Sequence, residues 1–358
     1  MVNKRVLILT KKLVHSAGIS ITLKYLSNGY YAQGYFSEYF LNIVVLEDSS
    51  LDIVNVIKQN KININTLNSK NIFVQISRFL NIKLIYNYDL YICTCFRSYY
   101  ILKLLFPFKK IVLWWHGSYN FKNPIKRLLF KLTNNYPSIT NSIFTARVNN
   151  LKNYVVVYNG VDKPKKEIKR NELLKRFCMP DDNIFIGNVG YWTLNKNQIT
   201  LVKAFNLLLE HYPNIYLIII GRQTELTKYA NEILKDKKNN YIFLDEVPGA
   251  LEFMHIFDIY VHTSLMEGFS NAITEAMASG CPVVTSASGA IQEMFKNNED
   301  CIFYEPTENY ENCAYAIKSL LDDKILAKKI IRNAKLKIKY FYNSDIFAEK
   351  FFAALKNI

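Results

Sequence analysis

Apolar residues along this chain fall into two rhythms. Largely apolar runs at 6–9, 43–46, 90–93, 111–115, 155–157, 216–220, 240–244, 259–262 and 283–285, with a Gly-containing run at 184–190, read as strands. Such runs suit strands buried on both faces, because a half-solvated strand alternates apolar and polar residues. Between them apolar positions recur at helical spacing, over 20–26, about 72–80, 199–211, 249–256, 309–322 and 324–341. Asn343, Ser344 and Asp345 supply a cap for a last helix at 346–357. Strands alternating with helices predict parallel sheets joined by crossovers. The stretch 50–88 is rich in Asn, Ile and Lys and poorly punctuated, so only the helix near 72–80 is predicted in it. A length of 358 residues exceeds one ordinary core and predicts two domains.

One stretch organises the rest. Residues 258–285 read DIYVHTSLMEGFSNAITEAMASGCPVVT. The strand at 259–262 breaks at Ser264 into a polar loop containing Glu267, Gly268, Phe269 and Ser270. A short helix follows, capped by Ser270 or Asn271 and stopped by Gly280 and Pro282. Apolar residues then resume, which makes a βαβ unit. The first N–H groups of the helix lack partners and sit at the positive end of its dipole, so phosphate binds well there. Gly268 allows a ligand close to the backbone. Glu267 and Glu275 oppose a phosphate by charge but accept hydrogen bonds from sugar hydroxyls. Phosphate beside hydroxyls describes a nucleotide sugar.

Glu267, seven residues, then Glu275, set within SLMEGFSNAITEAMASGCPVV, resembles the nucleotide-sugar motif of retaining GT-B glycosyltransferases of family 4, the group 1 glycosyl transferases. The resemblance implies an α/β, GT-B fold: two Rossmann-like domains with parallel sheets facing a cleft. It implies that Glu275 holds the donor ribose, that Glu267 lies beside the transferred sugar, and that the amides of Gly268, Phe269 and Ser270, with Asn271 opening the helix, help to hold the diphosphate. Without the surrounding pattern the two acids would read as a helix cap and a solvated surface residue. Asn159-Gly160-Val161-Asp162 resembles the family's ending to the first domain, and the Lys-rich 163–170 reads as a linker. The expected domains are 1–165 for the acceptor, 166–340 for the donor, and a helix at 341–358 crossing back to the first. The likeness covers roughly 140–300 well and the first domain loosely.

Gly187 and Gly190 close the strand at 184–190 without the three-glycine dinucleotide fingerprint, which speaks against an oxidoreductase. The family usually places an Arg after this glycine and a Lys a few residues on, both holding donor phosphates. Lys196 matches the second, but Tyr191 occupies the Arg position. Arg222, after the strand at 216–220, is the candidate substitute. In the first domain Gly18 follows Ala17 where the family often has paired glycines; it either admits donor backbone contact or is an ordinary turn. His116 ends the strand at 111–115, where α/β folds place ligands. The resemblance puts a His of this place near the donor sugar or acceptor.

Charge changes the picture further. The net charge is +15, and residues 1–165 carry 22 Lys and Arg against 6 acids, or +16, while the remainder carries 23 against 24, or −1. A basic half predicts a polyanionic partner: an anionic acceptor, an anionic membrane surface or a nucleic acid. Residues 121–132, FKNPIKRLLFKL, interleave cations with apolar residues and predict an amphipathic helix, suited to membrane docking or simply basic on its outer face. No apolar run approaches the roughly 18 residues of a membrane span. The run at 6–9 is too short for a signal-peptide core. A cytoplasmic protein, peripheral on the inner face of the plasma membrane, is expected.

The six cysteines form no zinc spacing and no disulfide framework. There is no Asp-x-Asp pair, so no metal and no cofactor is expected, with Lys196 and helix amides serving the diphosphate. The reading is a glycosyltransferase moving sugar, with retention, from a UDP-sugar in preference to a GDP-sugar. The acceptor is a glycan or lipid-linked molecule, in surface polysaccharide or lipopolysaccharide synthesis. A GT-B epimerase or hydrolase would show no acceptor dependence. A basic nucleic-acid-binding protein would show a salt-sensitive gel shift, but no nucleic-acid module is recognised and no such partner is expected.

Overall fold

A computed structural model describes residues 4–14, 18–81, 88–117, 131, 133–162, 170–176, 182–247 and 250–358. The chain forms two compact units, Met1–Gly160 with Asn343–Ile358, and Val161–Tyr342. The predicted linker at 163–169, Ala17 in the first turn, and the amphipathic segment 121–132 apart from Lys131 lie outside the described residues.

The first unit holds a sheet of seven strands: β1 (Lys4–Thr10), β2 (Tyr39–Val45), β3 (Asn63–Thr66), β4 (Leu90–Cys93), β5 (Ile111–Trp115), β6 (Ser138–Thr140) and β7 (Tyr154–Val156). Their order is β3-β2-β1-β4-β5-β6-β7, and every pairing is parallel. Val6, Leu7, Ile8 and Leu9 of β1 are all fully buried, so helices cover both faces of the sheet. The second unit holds six parallel strands: β8 (Ile184–Val189), β9 (Ile215–Ile220), β10 (Tyr241–Leu244), β11 (Ile259–His262), β12 (Val283–Ser286) and β13 (Ile302–Tyr304). They run in the order β10-β9-β8-β11-β12-β13. In both sheets the order reverses beside the first strand, at β1/β4 and at β8/β11. Ligands of doubly wound folds bind beyond the carboxyl ends of the strands at such points.

Local differences from the pattern have physical reasons. The stretch 50–88 contains the helix Leu51–Gln59 and the strand β3. β3 reads NINT and is an edge strand paired only to β2, so no apolar run marks it. The helix expected over 249–256 is a 3-10 turn, Ala250–His255.

The last helix, Ser344–Asn357, belongs to the first unit. Its buried face is aromatic. Phe351 lies 4.8 Å from the Trp114 ring, and Phe352 lies 4.5 Å from Tyr35 and 4.6 Å from Tyr39. A β-carbon on Gly29 would stand 2.0 Å from the Ser344 carbonyl oxygen, so only glycine admits the helix so close. Phe352 is fully buried, and its truncation opens a large cavity. Phe352→Ala is expected to cost about 3–5 kcal/mol in urea unfolding; a loss under about 1 kcal/mol would show that this helix is not part of the unit's core.

Candidate functional site

The candidate site forms where β8 and β11 end. The chain leaves β8 at Gly190, runs through Tyr191 to Asn197, and enters the helix Gln198–Leu208. Asn197 takes a left-handed conformation, φ 50°, to make that entry. The chain leaves β11 at His262 and reaches the helix Asn271–Ser279 through Glu267 and Ser270. The two loops are clipped together. Thr263 Oγ1 donates to the Lys196 carbonyl at 2.8 Å, Leu265 N donates to the Asn195 carbonyl at 2.8 Å, and Asn195 Nδ2 donates to the Met266 carbonyl at 3.1 Å. Behind them, Ser286 and Ser288 both donate to the Ser264 carbonyl, at 2.6 and 2.8 Å.

The clipping brings charged side chains together. Lys196 Nζ donates to Glu267 Oε1 at 2.5 Å, and His262 Nε2 stands 3.0 Å from the same oxygen. Glu267 is 8% exposed and His262 2%. Burial works to raise the Glu267 carboxyl, but the Lys196 ammonium and the His262 hydrogen bond outweigh it and hold the group well below the usual carboxylate range. Burial lowers His262, against the pull of Glu267, so the imidazole is neutral. A neutral ring facing a carboxylate carries its proton on the facing nitrogen, Nε2.

The helix after the loop is built as its sequence implies. Ser270 is the cap, its hydroxyl accepting from Ile273 N at 3.3 Å. Gly280 closes the helix at φ 83°, where a β-carbon would press on Lys335. Among the described residues no acceptor is recorded for the N–H groups of Gly268 and Phe269. They stand one turn ahead of the helix, which suits them to an anion. Phe269 is buried edge-on against Tyr342 at 6.1 Å, which fixes the loop. Glu275 is also buried, at 6% exposure. A mere helix cap and a solvated acid would both have been exposed.

Other sequence candidates fall into place around this pair. Gly190 precedes Tyr191, whose hydroxyl donates to Glu246 Oε1 at 3.0 Å. Gly221 has φ 153°, and a β-carbon there would lie 2.1 Å from the Gly190 carbonyl oxygen. That close approach sets Arg222 beside the Tyr191 loop, with Trp192 N donating to the Arg222 carbonyl at 3.2 Å. Arg222 is exposed. The Arg222 backbone is therefore next to the Tyr191 loop. His116 and Gly18 lie in the first unit. The His116 ring rests 4.8 Å from Trp114, its buried Nε2 has no partner among the described residues, and burial lowers its pKa to about 3. Gly18 opens the helix Gly18–Ala32, with open space where a β-carbon would stand.

Sequence reasoning missed His262. It ends a parallel strand just as His116 does, and that signal was in the pattern. It was hidden because His262 also completes an apolar run.

Residues 165–337 match the model of the family described as glycosyl transferases group 1. That span contains Gly190, Lys196, Arg222, Glu267 and Glu275. The match to that family lies in the second unit. The capsular polysaccharide biosynthesis glycosyltransferase CapM of Staphylococcus aureus is 26% identical over 196 residues, 54% of this chain and 51% of the relative. The N-acetylgalactosamine-N,N'-diacetylbacillosaminyl-diphospho-undecaprenol 4-alpha-N-acetylgalactosaminyltransferase of Campylobacter jejuni is 27% identical over 190 residues, 52% of this chain and 49% of the relative. These matches span about half the length of each relative. A crystal structure of Anabaena Alr3699/HepE in complex with UDP-glucose superposes with a TM-score of 0.81 at 18% identity, covering 99% of this chain and all of that one. The fold is GT-B.

The electrostatics of the Lys196–Glu267 pair yield a test. A carboxylate held below its ordinary range stabilises the fold above its unfolded pKa and loses that contribution as pH falls through the folded value. Lys196→Met is expected to cost on the order of 2 kcal/mol at pH 7, a discounted figure because Lys196 is one-third exposed. The gap between wild type and variant should narrow between pH 5 and pH 3. A gap constant over that range would show that the pair is not coupled.

Proposed function

We propose that the protein transfers a sugar from a nucleotide-diphospho-sugar to a glycan or lipid-linked acceptor, with retention of anomeric configuration. The observation that carries this is the meeting of Lys196 and Glu267 beside the capped helix that bears Glu275, at the switch point of a sheet within the group 1 match. Donor and leaving group need two things. The departing diphosphate needs positive charge, which Lys196, the Gly268 and Phe269 amides and Arg222 supply. The oxocarbenium-like sugar needs a nearby negative charge, and Glu267 stays ionised to give it. Glu275 accepts from the ribose hydroxyls. Cationic side chains and helix amides do here what a metal ion does elsewhere.

The donor in this reading is a UDP-sugar, the class bound in the Anabaena structure of the same fold. The acceptor class follows the printed names of the relatives, a capsule enzyme and one acting on an undecaprenol-linked sugar. The basic first unit suits an anionic acceptor or a membrane surface carrying it. No described helix is long and apolar enough to cross a membrane.

Thermal unfolding with UDP, GDP, ADP and CMP tests the donor site. A nucleotide at 100 times its Kd adds roughly 2.7 kcal/mol of stability. UDP is expected to stabilise the wild type, Glu275→Ala to abolish that shift, and Arg222→Ala to weaken it. Stabilisation by none of the four would overturn the reading, and an unchanged shift in Arg222→Ala would remove that residue from the phosphate site.

A further inference from the structure

We propose that His262 is the positioning residue of the donor site, holding the Glu267 carboxylate aimed and ionised while Lys196 turns to the diphosphate. This rests on the donor-site reading above and assigns the site a member beyond it.

The argument starts from the two oxygens of Glu267. Oε1 is taken twice, by Lys196 at 2.5 Å and by His262 at 3.0 Å. Oε2 has no recorded hydrogen-bond partner among the described residues and is the oxygen left for a ligand. A carboxylate fixed through one oxygen presents the other in a single direction, which is what a charge-stabilising group needs. Lys196 alone cannot do this. It is a flexible ammonium, one-third exposed, and a diphosphate arriving at the helix start competes for it with more charge than Glu267 has. His262 has no such choice. It is buried, it ends β11, and its neutral N–H is not drawn by an anion in solvent.

The ring is itself held on its other side. The Tyr260 hydroxyl lies 3.4 Å from His262 Nδ1 and 3.4 Å from the Val189 carbonyl at the end of β8. Tyr260 is fully buried. The Tyr260 proton goes to the Val189 carbonyl, so it is the Glu267 carboxylate, which can only accept, that keeps the ring's proton on Nε2. Ser270, the cap of the Glu275 helix, stands 3.5 Å from Nε2. Tyr260, Glu267, Ser270 and, through Glu267, Lys196 are the polar groups recorded around the ring. His262 therefore ties the carboxylate to both strand ends and to the helix start. A glutamine has an N–H donor with comparable reach; a leucine has the bulk and no donor.

Two readouts decide the proposal. Nitrogen-15 NMR, with the His262 signal assigned by its loss in His262→Gln, should show a neutral ring protonated at Nε2 from pH 6 to 8, with and without UDP. A charged ring, or one protonated at Nδ1, would overturn the proposal whether or not any sugar is transferred. Donor consumption is then measured with UDP-glucose, UDP-galactose, UDP-N-acetylglucosamine and UDP-N-acetylgalactosamine, using whichever the wild type consumes fastest. His262→Leu should lower kcat by roughly a hundredfold, the scale of a mispositioned group, with KM for the donor within about threefold. His262→Gln should recover most of that loss. Equal loss in both variants at matched melting temperatures, or a change in KM with kcat kept, would overturn it. If the wild type consumes none of the four sugars and binds no UDP, it is the donor-site reading that falls, and the ring's proton position still decides what His262 does for Glu267.

Discussion

The second unit turns on one oxygen atom. Glu267 Oε1 takes hydrogen bonds from a lysine on the loop after β8 and a histidine at the end of β11. A buried carboxylate is costly unless it is paired and hydrogen-bonded. Removing Lys196 would leave the charge uncompensated and removing His262 would leave it a hydrogen bond short, so the two loops have little freedom to part. The backbone clips between Asn195, Lys196, Thr263, Leu265 and Met266 are the geometric counterpart of that electrostatic demand.

This constraint explains why the site sits where it does. In a doubly wound sheet the loops after β8 and β11 leave in opposite directions and open a crevice at their strands' ends. That crevice needs closing at its floor, and the glycine contact of Gly221 on Gly190 and the three serines behind Glu267 close it. Stability and function share the same atoms here. The groups that keep the carboxylate ionised for the fold are, in the proposed function, the ones that keep it negative for the sugar.

In the proposed function Arg222 answers the departure at Tyr191. Tyr191 is tied to Glu246, while the adjacent strand end presents Arg222 next to it. A cation moved from one strand end to its neighbour remains at the same end of the same sheet. The first unit is organised by a different principle, aromatic burial: Trp114, Tyr35 and Tyr39 receive Phe351 and Phe352 of the last helix, which the chain adds after completing the second unit.

What the sequence by itself determined was the α/β class, most buried strands, and the stretch from strand to capped helix that bears Glu267 and Glu275. These are local properties: apolar run length, capping chemistry and glycine placement act over a few residues. It did not reveal β3, because an edge strand of polar residues has no buried face to mark it. It did not reveal His262, because a histidine inside an apolar run looks like part of the strand. Pairing Lys196 with Glu267 across 71 positions was beyond it as well. Such a contact depends on which strands become neighbours, and only the sheet order that sets β8 beside β11 decided that.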